Sequence, residues 1–130
     1  MNSETQFRLL VCDPDPQGQK IIRECLQGSS IKVLFSSPAE PFENALAKHF
    51  PFNAVVIDLP APATRCCDKM VSAVKQVAPS AKVIFLSRLA DEKLWSQVLS
   101  LGAYDLLSKP LERTEFLRTV FGALQHDQVA

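Results

Sequence analysis

The sequence predicts an α/β domain built on a five-stranded parallel sheet with helices on both faces. Two observations carry that prediction. Five short apolar runs alternate with five stretches of helical periodicity, the pattern of successive β-α units. Two of the runs, Ala54–Ile57 and Lys82–Leu86, are almost continuously apolar, as strands covered on both faces are. The length agrees, since 130 residues make one domain with its own core. The whole of 1–130 reads as that single domain, with residues 7–126 as its core.

The elements follow in order. The first strand is Arg8–Cys12 (RLLVC), and the first helix runs from about Pro16 to Gln27 with Ile22, Cys25 and Leu26 on one face. Asp15-Pro16 supplies an N-cap and a proline at the first helical position. Gly28 stands where that helix should stop. The second strand is Ile31–Phe35 (IKVLF), followed by a short helix from Pro41 to His49 carrying Phe42, Ala45 and Leu46 inward. The third strand, Ala54–Ile57, leads to a helix over Thr64–Val77 with Cys67, Met70, Val71 and Val74 in its stripe. The fourth strand, Lys82–Leu86, leads to Asp91–Leu101, whose stripe is Leu94, Val98 and Leu101 and whose stop is Gly102. The fifth strand is Asp105–Leu107, and the last helix runs from Glu112 to Gln125 through Phe116, Leu117, Val120, Phe121 and Leu124.

Composition excludes several function classes. Fourteen basic and fourteen acidic residues give zero formal net charge, which argues against a nucleic-acid binder driven by bulk charge. No apolar run reaches the length of a membrane span, and MNSETQF has no secretory character. The four glycines are widely spaced, so a glycine-rich phosphate loop is absent. Cys12, Cys25, Cys66 and Cys67 form no C-x-x-C pair, and the simplest compartment for them is the reducing cytoplasm. His49 and His126 have no ligand partner in the pattern and read as solvated surface residues.

In a parallel sheet every strand opens its C-terminal end on one edge, and ligands bind there. The polar residues that follow the apolar runs are Asp13, Ser36-Ser37, Asp58, Ser87 and Ser108-Lys109. With strand order 2-1-3-4-5, Asp13, Asp58, Ser87 and Lys109 stand on four neighbouring strands. Two carboxylates, a hydroxyl and an ammonium at one edge suit phosphoryl chemistry. A carboxylate serves as nucleophile or Mg²⁺ ligand, and the other two groups neutralise phosphoryl oxygens.

These residues resemble the receiver domain of two-component response regulators over residues 7 to 126. The matching pieces are VCDPDP with Asp13, AVVIDLPAP with Asp58, KVIFLS with Ser87 and GAYDLLSKP with Lys109-Pro110. The D-x-x-x-P spacing from Asp58 to Pro62 and Gly102-Ala103 before the fifth strand also match. The resemblance implies a doubly wound, flavodoxin-like fold. It implies that Asp58 accepts phosphate from a histidine kinase or phosphotransfer protein. Asp13, Asp58 and the Pro60 carbonyl would hold Mg²⁺, Ser87 would turn toward the phosphoryl group, and Lys109 would pair with it. The Lys109-Pro110 bond is often cis in such domains. The surface of helix four, strand five and helix five would then meet a downstream protein, an output domain or a second copy of the chain. Nucleic acid and membrane are not implied as direct partners.

Two positions depart from the pattern. Pro14 replaces the second acidic residue, which weakens a Mg²⁺ site without abolishing it. Asp15 is expected to spend its carboxylate on first-helix amides. Leu106 stands where the family usually has Tyr or Phe, and Tyr104 falls on the same strand face if the alternation is regular. Trp95 and Leu99 form an i, i+4 pair that serves either core packing or a partner surface. The departures motivate a second reading, a pseudo-receiver that binds partners without a phosphate cycle. The D-x-D of Asp13 and Asp15, with a later Ser and Lys, also sketches a haloacid-dehalogenase-like phosphatase with Asp13 as nucleophile. Gln17 and the lack of a later acidic pair depart from that family, and the chain is short for it.

Overall fold

The computed structural model describes residues 7–59 and 66–126. Its elements are β1 (Phe7–Cys12), α1 (Pro16–Leu26), β2 (Ile31–Phe35), α2 (Phe42–His49), β3 (Ala54–Asp58), α3 (Cys67–Val77), β4 (Lys82–Ser87), α4 (Glu92–Ser100), β5 (Asp105–Ser108) and α5 (Arg113–His126). The strands form one sheet in the order β2-β1-β3-β4-β5, and every pairing is parallel. The doubly wound flavodoxin-like architecture is the one expected.

Period-two alternation sorts the strand residues between two cores. Leu10, Val55, Ile57, Val83, Phe85 and Leu106 pack with Leu46 of α2, Val71 and Val74 of α3, and Leu94 and Val98 of α4. Leu9, Val11, Val56, Ile84, Leu86 and Leu107 face the other way, onto Ile22 and Leu26 of α1 and Phe116, Val120 and Leu124 of α5. Both cores draw on β3 and β4, which is why those strands are apolar on successive residues. Each fully buried Leu, Ile or Phe contributes about 1.5–3 kcal/mol.

Local chemistry sets the helix ends. Asp15 accepts from the Gln17 N–H and Pro16 opens α1. Asp91 accepts from the Leu94 N–H to start α4, and the Glu112 carboxylate takes the Thr114 and Glu115 N–H groups to start α5. Gly28 (φ +83°) and Gly102 (φ +105°) adopt the left-handed conformation that ends α1 and α4.

Three expectations are corrected. The strand ends reach further than the apolar runs, because polar Asp58, Ser87 and Ser108 still pair in the ladder. Tyr104 does not share a face with Leu106. It precedes the first β5 residue, and its ring packs with the α1 and α5 core while Leu106 belongs to the other. Strand alternation does not extend to a residue outside the strand. His49 is half-buried rather than solvated, and its Nε2 is enclosed with no hydrogen-bond partner. Pro60, Pro62, Thr64 and Arg65 and the tail after His126 lie outside the described residues, as does the His126 side chain.

Candidate functional site

The C-terminal edge of the sheet gathers the predicted residues. Asp13 follows β1 and is 2% exposed. Asp58 closes β3, Ser87 closes β4, and Lys109 follows β5. Lys109 joins them. Its Nζ lies 3.3 and 3.1 Å from the two Asp13 oxygens and 3.2 Å from Asp58 Oδ1. The Lys109 side chain is almost entirely enclosed, as is that of Asp13.

The backbone holds these groups in place. The Lys109 N–H donates to the Ser87 carbonyl at 3.0 Å, and Leu59 N–H to the Leu86 carbonyl at 2.8 Å. The Lys109-Pro110 bond is cis. Asp13 Oδ1 accepts the Asp15 N–H at 3.0 Å, and Gln19 Nε2 donates to the Asp13 carbonyl at 2.6 Å. A Cβ on Gly18 would collide with Asp13 Oδ2 and reach 3.4 Å from Lys109 Nζ. The α1 backbone therefore forms one wall of the site, and only glycine lets it approach so closely.

Asp15 does more than expected. Its Oδ1 caps α1 at Gln17. Its Oδ2 lies 3.5 Å from Lys109 Nζ and 3.4 Å from Arg88 Nη2. The hydrogen bond donated by the Gln17 N–H, with smaller help from Lys109 and Arg88, holds its carboxyl below the usual range. Sequence reasoning missed Arg88, Gly18 and Gln19. The position of Arg88, directly after a strand-end Ser, was the available signal for the first of them.

Burial, then the charge of Asp13, pushes the Asp58 carboxyl up, and Lys109 only partly offsets them. Burial alone would lower Lys109, but its hydrogen bond to Asp13 and the two carboxylate charges outweigh that and raise it. Lys109 thus stays charged, while Asp58 is held above the usual carboxylate range. Ser87 is buried, and its Oγ accepts the Leu89 N–H at 3.0 Å, which fixes the turn leading to α4.

A carboxylate at a strand end, paired to a buried lysine with a hydroxyl on the next strand, has the groups that phosphoryl chemistry uses: a nucleophilic oxygen and charge-neutralising neighbours. Residues 9–121 match the family profile described as response regulator receiver domain. The chain belongs to that family. No curated protein sequence matches this receiver, but solved structures do. It is similar to the BeF3-activated DrrB receiver domain, with 26% identity and a TM-score of 0.69 over 93% of this chain and 99% of that one. A response regulator from Thermotoga maritima matches with 17% identity and a TM-score of 0.76 over 93% and 99% of the two chains. A chain of the CheX-CheY-BeF3-Mg²⁺ complex from Borrelia burgdorferi matches with 24% identity and a TM-score of 0.71 over 89% and 87%. The last two likenesses are of fold.

Receiver domains typically bind Mg²⁺, and the donor set here fits that ion with one carboxylate fewer, since Pro14 stands at the second acidic position. Asp13 and Asp58 open onto one cavity of about 150 Å³, with Pro14 in its wall where a second acidic side chain is missing. Among the described residues no three metal-ligating side chains converge, and Pro60, the expected backbone ligand, lies outside them. Two carboxylates nonetheless suffice for an ion that keeps several waters and takes phosphate oxygens.

The receiver's α4–β5 face is built differently. Trp95 is 44% exposed, and its Nε1 donates to Asp105 Oδ1 at 3.0 Å. With Ala90, Asp91, Glu92, Leu106 and Ser108 it lines a shallow cavity of about 330 Å³. Trp95 is therefore exposed rather than packed into the core.

Proposed function

We propose that this domain is a phosphoacceptor that takes a phosphoryl group on Asp58 from the phosphohistidine of a kinase or phosphotransfer protein. The observation that carries the reading is Lys109, buried and bonded to both Asp58 and Asp13. Lys109 holds Asp58 Oδ1, so Oδ2 is the attacking oxygen. The donor's P–N bond breaks as the Oδ2–P bond forms, and Lys109 balances charge on the phosphoryl oxygens. When bound, Mg²⁺ supplies further positive charge there, with Asp13, Asp58 and the Pro60 carbonyl as its protein ligands.

The switch would start at Ser87. Its hydroxyl, turned toward the phosphoryl group, releases the Leu89 N–H it accepts in the unmodified domain. The turn through Ala90 and Asp91 then loosens, and both residues line the Trp95 cavity. Phosphorylation is thereby reported on the α4, β5 and α5 surface, where a downstream protein, an output domain or a second copy would dock. The domain acts in this reading as a cytoplasmic signalling module and not as an enzyme.

The test is intact mass after incubation with acetyl phosphate and Mg²⁺, beside Asp58→Asn. A phosphoryl adduct on the wild type alone is expected. An unmodified but folded wild type would leave the phosphorylation-independent binding module, the reading that Pro14 favours. An adduct that persists in Asp58→Asn would move the acceptor elsewhere, with Asp13 the first candidate.

A further inference from the structure

The site contains a cation that the phosphoacceptor reading does not use. Arg88 follows Ser87, and its guanidinium reaches back across the mouth of the site to Asp15 Oδ2 at 3.4 Å. The Lys109 ammonium lies 3.5 Å from that same oxygen and 3.2 Å from Asp58. Asp15 therefore parks Arg88 one carboxylate away from the phosphoacceptor.

The charge balance shows what such a cation is for. Asp13, Asp15 and Asp58 face Lys109 and Arg88, which leaves one negative charge in excess. Converting Asp58 to an acyl phosphate replaces one negative charge by up to about two. Pro14 contributes no carboxylate to strengthen the hold on a divalent cation. Lys109 is buried and shared between Asp13 and Asp58, so it offsets only part of the added charge. Arg88 is the exposed charge. Its side chain is 65% exposed, and an exposed pair at that distance holds it only weakly. A planar guanidinium also matches phosphoryl oxygens with two parallel hydrogen bonds.

We propose that Arg88 is a second phosphoryl-binding residue, which leaves Asp15 for the phosphoryl oxygens on Asp58 and lowers the Mg²⁺ concentration that phosphorylation requires. The inference rests on Asp58 being the phosphoacceptor. With acetyl phosphate as donor, its P–O bond to the acetyl group breaks and the Asp58 Oδ2–P bond forms. Acetate leaves with the electron pair. No proton moves, and Arg88 only exchanges one acceptor for another.

The experiment follows phosphoryl adduct by intact mass on the full chain, with acetyl phosphate over a Mg²⁺ series, for wild type, Arg88→Ala and Arg88→Lys. Thermal melting shows that each is folded. Arg88→Ala is expected to need about tenfold more Mg²⁺ for half-maximal adduct, the worth of one charge-assisted hydrogen bond. The gap closes at saturating Mg²⁺, and Arg88→Lys recovers part of it. A purely structural role for Arg88 would not shift the Mg²⁺ midpoint or be rescued by lysine. Equal midpoints for wild type and Arg88→Ala, or readier uptake by Arg88→Ala, overturn the role of Arg88 and leave Asp58 as acceptor. No adduct on any of the three at any Mg²⁺ concentration overturns the phosphoacceptor reading and this inference with it.

Discussion

The two ends of the proposed signal are built on opposite principles. At the sheet edge, Asp13 and Lys109 are enclosed and linked by contacts of 3.1 and 3.3 Å, so each charge is compensated by the other. On the α4–β5 face, Trp95 and Asp105 meet through one exposed hydrogen bond, and water can replace either partner. The first region is a rigid cluster in which a lost group leaves an uncompensated charge. The second is a surface whose polar contact orients an indole and contributes little to stability. The two departures from the family pattern fall one in each region: Pro14 beside Asp13 and Asp58, and the buried Leu106 beneath the Trp95 surface.

The same deletion in both regions tests this most directly. Lys109→Met leaves the buried Asp13 carboxylate unpaired and is expected to cost about 3–5 kcal/mol. Asp105→Ala removes the Trp95 bond and is expected to cost about 1 kcal/mol or less. Denaturant unfolding measures both. Similar costs would break the contrast.

A smaller effect, opposite in sign, is expected at Asp58. Its folded pKa is raised, by burial first and by Asp13 second. Between the unfolded value near ~4 and the folded one, the native chain binds more protons than the unfolded chain. Stability therefore falls as pH rises through that window, and the penalty remains in full above it. Asp58→Asn removes the penalty. It should raise Tm by about 2–4 °C at pH 7, with the gap closing as the pH falls below about 4. Calorimetry at the two pH values decides it. A lower Tm for Asp58→Asn at pH 7 would mean that the Lys109 bond dominates.

How much of this was legible depends on which interactions repeat. The strands and helices follow periodicity, and β3 and β4 announce their double burial through unbroken apolar runs. Asp13, Asp58 and Ser87 were legible because each is the first polar residue after such a run, and Lys109 because it follows Ser108 at the end of the fifth; a parallel sheet brings those positions to one edge. Arg88 and the second oxygen of Asp15 were not, because a loop side chain reaching across from β4 to the start of α1 leaves no periodic trace. Gly18 looked like an ordinary helix residue, and its need for glycine comes from Asp13 and Lys109 packed against it. Tyr104 was placed wrongly by one step of alternation, because β5 begins after it.

The smallest effect expected is also the one that links the regions. Trp95 is the only tryptophan in the chain, so its emission reports the α4–β5 face alone. If Ser87 gives up the Leu89 N–H on phosphorylation, the turn through Ala90 and Asp91 shifts and the polarity around the indole changes with it. Adding acetyl phosphate and Mg²⁺ should then change Trp95 emission modestly in the wild type. Ser87→Ala should abolish the change while still accepting phosphate, since the hydroxyl relays the event and Lys109 and Asp58 carry the chemistry. An equal change in Ser87→Ala would place the relay elsewhere, with Lys109 and its link to β5 the next route. No change in the wild type, despite a full phosphoryl adduct, would show the two regions to be uncoupled. Leu106, which lacks the aromatic ring usual at that position, would then be the residue at which the path is broken.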